Sequence, residues 1–227
     1  MRSQGLKRVT MVLLLLAAPT VAARADEASE ALARGDEAFG RGQYELAIFA
    51  YRGALAAFGD HRARTHYNIG VCLARLGRPR EAVAEHRAAV EARRGRYPEA
   101  LYALGVALRE LREWREAKEA FGRAVEASGG RHAEALFDLG LELHREGDAE
   151  AAAESYRRAI ARSGGRLPAG HNNLGVILVG RGEWEAAERE FEAALAASRG
   201  RFAEAEHNLA LCRRRDLRPA LLAALRR

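Results

Sequence analysis

The sequence predicts an all-α solenoid, a stack of antiparallel helix pairs, on three observations. Gly35, Gly70, Gly105, Gly140 and Gly175 follow one another at intervals of 35 residues, and Ala210 continues the series. A period of that size marks repeated supersecondary units rather than one central core. Two apolar stripes recur within each period at the three-to-four-residue spacing of a helix face. Glycine falls between the stripes and again between units, where helices end.

Residues 1–25 stand apart from the repeats. Arg2, Lys7 and Arg8 precede an apolar run from Val9 to Ala18, which Pro19 ends, and Ala23-Arg24-Ala25 follows. A basic head, a short apolar core and small residues at A-x-A spacing make a secretory signal peptide, with cleavage expected before Asp26. A membrane span takes about 20 apolar residues, more than this run offers. The expected product is an exported chain, periplasmic or secreted, with no transmembrane span once matured.

Residues 26–227 form the predicted solenoid, with units at about 28–62, 63–97, 98–132, 133–167 and 168–202 and a partial unit at 203–227. Positions are counted here as slots from the first residue of each unit. The first helix carries large apolar side chains at slot 7 (Ile69, Leu104, Leu139, Leu174, Leu209) and slot 11 (Leu73, Leu108, Leu143, Leu178). The glycine at slot 8 costs about 1 kcal/mol against alanine in mid-helix, so its recurrence predicts the close approach of a second helix. A turn follows at slot 15, with Gly42, Gly77, Gly147 and Gly182. The second helix then shows alanine at slot 20 (Ala47, Ala82, Ala117, Ala152, Ala187) and alanine again at slot 27 (Ala54, Ala89, Ala124, Ala159, Ala194). Between them, slot 24 holds Tyr51, His86, Phe121, Tyr156 and Phe191, with His86 standing in for the aromatic. The last four of these helices run out into RRGR, SGGR, SGGR and SRGR, with glycine at a C-cap.

The ends differ from the middle. Unit 1 places Arg34 and Ala38 where other units have large aliphatics, the polar outer layer expected of a capping repeat. Unit 6 offers one helix and then Leu217–Arg227, where Pro219 can open a short basic amphipathic helix. That tail is read as a cap, or as a surface for a membrane or a partner.

The pattern of small slot 8, large apolar slot 7, glycine 15, aromatic 17 or 24 and alanine 20 and 27 resembles the tetratricopeptide repeat (TPR) family. Gly140, Gly147, Ala152, Tyr156 and Ala159 are one instance; Gly175, Gly182, Trp184, Ala187, Phe191 and Ala194 are another. The resemblance covers about residues 28–212 and implies a right-handed solenoid of five full repeats plus a C-terminal capping helix. Two departures stand out: the period is 35 and not 34, and the proline usual at slot 32 is replaced by Gly or Arg. A 35-residue helical pair also suggests the RNA-reading pentatricopeptide repeat, but that family lacks the slot 8 glycine and favours a larger residue at slot 27.

Charge and motifs narrow the function. Of the formal net charge of +6, the leader supplies Arg2, Lys7, Arg8 and Arg24 with no acid, which leaves the rest near +2 with signs interspersed. That is a solvated helical surface and not the basic stripe of a nucleic-acid binder. Cys72 and Cys212 lie four periods apart in equivalent slots. A disulfide needs Cα atoms within about 7 Å, so two buried free thiols are expected. No HExxH, GxSxG, GxxxxGK[ST] or CxxC occurs. The histidines scatter over different slots, and His144 and His171 are the one pair in adjacent units that invites a metal reading. Neither an enzyme activity nor a cofactor or metal site is expected.

In TPR proteins the first helices line a groove, and the resemblance carries this over to particular residues. Slot 5 gives Tyr67, Tyr102, Phe137 and Asn172; slot 9 gives Val71, Val106, Leu141 and Val176. Arg75, Arg109, Glu110, His144 and Arg145 rim them at slots 12 and 13. Apolar anchors with a polar rim suit a peptide or helix of a partner protein, although slots 5 and 9 can also serve only to pack neighbouring units. Arg96, Arg131, Arg166 and Arg201 all occupy slot 34 and form a basic edge. Each either caps the preceding helix's carbonyls or belongs to a surface for an acidic partner or anionic glycan. The function expected is an exported, non-enzymatic scaffold of the cell envelope, with glycan or peptidoglycan binding as the alternative.

Overall fold

The computed structural model describes residues 21–56 and 61–214. The expected leader up to residue 20 and the capping helix expected at Leu217–Arg227 lie outside the described residues. Eleven helices follow in order: α1 (Val21–Gly40), α2 (Tyr44–Ala56), α3 (Arg62–Arg75), α4 (Pro79–Ala92), α5 (Pro98–Glu110), α6 (Trp114–Ala127), α7 (Ala133–Arg145), α8 (Ala149–Arg162), α9 (Pro168–Gly180), α10 (Trp184–Ala197) and α11 (Ala203–Arg214). Helices are the only regular elements among the described residues. Each packs chiefly on its neighbours in sequence, which makes the molecule a stack of pairs.

The slot 8 glycines are where the two helices of a pair meet. A Cβ placed on Gly35 would lie 2.4 Å from Tyr51, on Gly70 2.5 Å from His86, and on Gly105, Gly140 and Gly175 2.6 Å from Phe121, Tyr156 and Phe191. Real Cβ contacts do not come so close. Each slot 24 ring therefore lies flat against a bare helix backbone, and the alanines at slots 20 and 27 keep the second helix near enough to hold it there. All five rings are buried, as are those ten alanines. His86 fills the aromatic's place as the sequence predicts, in a site that burial makes hostile to its charged form. Cys72 and Cys212 are buried thiols, with burial pushing the Cys72 thiol up to about 11.

The turns explain the missing slot 32 proline. Four second helices end in the same pair of bonds: Gly95 N–H to the Val90 carbonyl (2.9 Å) and Arg94 N–H to that of Glu91 (2.8 Å), and likewise at Gly130, Gly165 and Gly200. This is the Schellman closure, in which the residue after the cap is left-handed. Here two consecutive residues take positive φ, at slots 32 and 33: Arg94 and Gly95, Gly129 and Gly130, Gly164 and Gly165, Arg199 and Gly200. Proline, fixed near −65°, cannot occupy slot 32 in that conformation.

Slot 15 uses the same closure. Gly42, Gly77, Gly147 and Gly182 are left-handed there, and in unit 3 the position falls to Arg112, with φ of 61°. A left-handed residue with a Cβ costs roughly 1–2 kcal/mol. Arg112→Gly is therefore expected to raise stability by about 1 kcal/mol despite the greater freedom of glycine in the unfolded chain. Urea unfolding followed by circular dichroism measures it; an unchanged or lowered midpoint would show that Arg112 adopts this conformation without strain.

Candidate binding groove

The odd-numbered helices form the inner side of the stack: α3 approaches α5, and α9 approaches α11, whereas the even-numbered helices keep further apart from one another. Slots 5 and 9 lie on these inner helices. Tyr67, Tyr102 and Phe137 are each half-buried, and each ring tilts against the slot 24 ring of its own unit. The centroid distances are 5.8 Å to His86, 5.8 Å to Phe121 and 5.7 Å to Tyr156. Tyr67 and Tyr102 also meet the last residue of their own unit, Tyr97 at 5.5 Å and His132 at 4.8 Å. The slot 5 aromatics thus combine packing with partial exposure. Val71, Val106, Leu141 and Val176 are half-buried beside them. Together these residues make a discontinuous apolar track across units 2 to 5.

Asn172 departs from that track. It is buried, and its Oδ1 accepts from Asn208 Nδ2 at 2.9 Å, so in unit 5 the slot 5 side chain ties one unit to the next and presents nothing to a groove.

Two cations of the expected basic rim already have partners within the chain. Arg109 Nη1 lies 2.6 Å from the carboxylate of Asp138, which is buried, and its guanidinium covers the Phe121 ring at 5.4 Å. Arg145 lies 3.0 Å from buried Glu142 and 4.4 Å above the Trp114 ring. Arg75 and Glu110 are exposed and make no ion pair among the described residues. His144 is half-buried, and burial lowers its pKa. It does not join His171, whose Nδ1 lies 2.7 Å from Glu190. No group of three ligating side chains forms a metal site among the described residues.

The structure adds residues that the slot rule did not name. A cavity of about 360 Å³ opens between units 1 and 2, lined by Asp36, Phe39, Tyr51, Arg64, Tyr67, Asn68 and Val71. Asp36 organises it, accepting from the Tyr51 hydroxyl at 2.7 Å, Arg64 at 2.8 Å and Asn68 at 3.4 Å. The signal was present in the sequence: Asp36 sits at slot 9 of unit 1, where all four following units carry an aliphatic. Tyr102 plays a related part in unit 3, its hydroxyl pushed up to about 12 by burial and then by Asp138.

Arg96, Arg131, Arg166 and Arg201 are exposed, and their guanidinium groups make no hydrogen bond or ion pair among the described residues. The carbonyls they were expected to cap are taken by the backbone N–H groups of the left-handed turn. Capping by these side chains is therefore not what the structure shows.

The family model of the tetratricopeptide repeat matches residues 32–98 and 102–166, and another model of that repeat matches residues 172–199. No curated protein matches the chain by sequence. Among solved structures, the MamA protein is similar at 25% identity and a TM-score of 0.66, over 77% of this chain and 93% of that one. Pseudomonas aeruginosa PilF reaches a TM-score of 0.70 at 19% identity, over 89% and 90% of the two chains. YrrB, described as a TPR protein with an unusual peptide-binding site, has a TM-score of 0.65 at 22% identity over 80% and 91%. The last two likenesses speak to fold alone.

Proposed function

The chain belongs to the tetratricopeptide repeat family, and from that premise we propose a non-enzymatic protein-interaction scaffold of the cell envelope. Its inner helices hold an extended or helical segment of a partner protein. The observation that carries the reading is the track of half-buried aromatic and aliphatic side chains from Phe39 and Tyr67 to Leu141. Two rim arginines and Arg64 are neutralised by carboxylates of the chain itself. A ligand that fits such a surface is apolar and close to neutral, since a strongly acidic one would have to displace Asp36, Asp138 and Glu142 from their partners. Placement in the envelope rests on the leader at residues 1–25; no helix among the described residues is long and apolar enough to cross a membrane.

The slot 5 rings also pack the units together, so truncating them tests fold and binding at once. The slot 9 side chains are cleaner probes. Val106→Glu/Leu141→Glu is expected to weaken capture of the partner segment at least ~10-fold, because it puts charge where apolar contact is needed; both side chains also pack on the core, so the unfolding midpoint falls and binding is compared at a temperature where parent and variant are both folded. A partner retained with full affinity sinks the groove reading.

The free guanidiniums at slot 34 favour a second reading, an anionic glycan or peptidoglycan along that edge. Ionic strength separates the two. Exposed ion pairs are screened beyond about 10 Å at 0.1 M salt, so a polyanion would dissociate as salt is raised while an apolar segment would stay bound.

A further inference from the structure

The open N-terminal face of the stack carries two features that a simple end cap does not need. Leu46 and Phe49, on α2, are 54% and 76% exposed. They occupy slots 19 and 22, where the following units have only alanine or charged residues. They flank a cavity of about 550 Å³ with a floor of small residues, Ala31, Ala38, Ala50 and Gly53. In units 2 to 5 slot 11 carries leucine where Ala38 leaves space. A ridge and a trough therefore stand side by side on one surface.

The charges along α1 follow an order. Glu30, Arg34, Glu37 and Arg41 form one exposed stripe, at slots 3, 7, 10 and 14. In units 2 and 3 the same slots hold Thr65, Ile69, Cys72 and Leu76, then Ala100, Leu104, Ala107 and Leu111, all buried or half-buried in the stack. The signs in unit 1 alternate, minus, plus, minus, plus. Overlaid on a parallel copy, the stripe places like on like. Turned about a two-fold axis between Arg34 and Glu37, it places Glu30 on Arg41 and Arg34 on Glu37 throughout. The pairs along the stripe, Glu30 with Arg34 at 3.5 Å and Glu37 with Arg41 just past the end of α1 at 2.7 Å, are exposed. Pairs of that kind are worth about 0.3–0.5 kcal/mol and yield readily to new partners.

We propose that this face is covered by a second copy of the chain, in a symmetric dimer that packs α1 antiparallel against α1 with the Leu46–Phe49 ridge of each protomer in the other's trough. An isologous contact needs a self-complementary patch, and both the relief and the charge order supply one. The contact closes on itself, so it stops at two copies and leaves both inner faces open, pointing away from the shared end. Two linked grooves engage a partner with paired segments more tightly than either alone. The residues involved lie after the expected cleavage point. The inference does not rest on what the grooves bind.

The test is the solution mass of the protein expressed from the full chain, by sedimentation equilibrium across a concentration series. A dimer is expected, with Phe49→Glu raising its dissociation constant at least ~10-fold, and with an unaltered circular dichroism melt because the side chain is exposed. Charge exchange gives the sharper result. Glu30→Arg/Glu37→Arg and Arg34→Glu/Arg41→Glu should each be monomeric alone, and should form a mixed dimer when combined. A monomeric parent at the highest soluble concentration overturns the proposal. So does an open-ended series of masses, a dimer indifferent to Phe49→Glu, or a failure of the two charge variants to pair. A synthetic peptide of residues 1–20 that bound the monomer at Phe49 would overturn it too, by giving the face another occupant.

Discussion

Gly105→Val is expected to lower stability by about 3 kcal/mol and to open the stack locally around α5 and α6. A Cβ at this position would come 2.6 Å from Cε1 and 2.7 Å from Cδ1 of Phe121, a ring with no exposed surface. The ring cannot withdraw, because Ala117 and Ala124 fix α6 from either side of it and Tyr102 leans on its face at 5.8 Å. Forcing extra methyl groups into a filled core typically costs 1–3 kcal/mol, and here the two helices must also part. Gly122, in the middle of α6, supplies the control, since nothing lies within 4 Å of the place its Cβ would take. Gly122→Ala should gain about 1 kcal/mol from helix propensity alone. Hydrogen exchange measures both, and in a stack with neighbour-only contacts the loss at Gly105 should show first in α5 and α6. If Gly105→Val exchanged no faster there than the parent, the close approach of the second helix would not be the reason for the glycine.

That pair of glycines shows what the sequence can and cannot disclose. The repeat made the fold legible: a mid-helix glycine recurring at one slot, with an aromatic recurring sixteen residues on, has no explanation but contact between them. The absent slot 32 proline was visible too, although its cause, a second left-handed residue in each inter-unit turn, needed the backbone. The groove was legible only in part. Slots name which residues stand on the inner helices, and Tyr67, Val71, Tyr102, Val106, Phe137 and Leu141 do stand there. They do not tell which side chains already have partners in the neighbouring unit. Arg109 and Asp138 are 29 residues apart, and Asn172 and Asn208 are 36 apart, so each pairing depends on how far one unit turns against the next. For the same reason the slot 34 arginines suggest caps in the sequence: it shows an arginine near a helix end, but not that backbone N–H groups have reached the carbonyls first.

His86→Phe is expected to remove a loss of stability that the parent suffers in acid. His86 is 1% exposed and lies flat on Gly70, with Tyr67 tilted against it at 5.8 Å. Its Nδ1 has no hydrogen-bond partner among the described residues, and burial lowers its pKa from 6.5 to about 4. The folded chain therefore holds this ring neutral at pH values where the unfolded chain protonates it. Stability that is present above pH 6.5 is lost as the pH falls towards 4. A difference of that size, at 1.36 kcal/mol per unit, amounts to about 3 kcal/mol. His171 works in the opposite sense: its hydrogen bond to Glu190 raises its pKa, so its contribution is present in acid and fades as pH rises through the raised value. Comparing parent and variant cancels His171 and every other shared group. Phenylalanine occupies the same slot in units 3 and 5, against Gly105 and Gly175, so the replacement suits the site and buries no unsatisfied nitrogen. Urea unfolding at pH 7, 5.5 and 4 should show the variant at least as stable as the parent at neutrality, and ahead of it by about 3 kcal/mol more at the lowest pH. A difference between the two that stayed constant with pH would mean that His86 reaches solvent or a partner in the folded chain, and that the slot 24 ring is held less tightly than its contact with Gly70 requires.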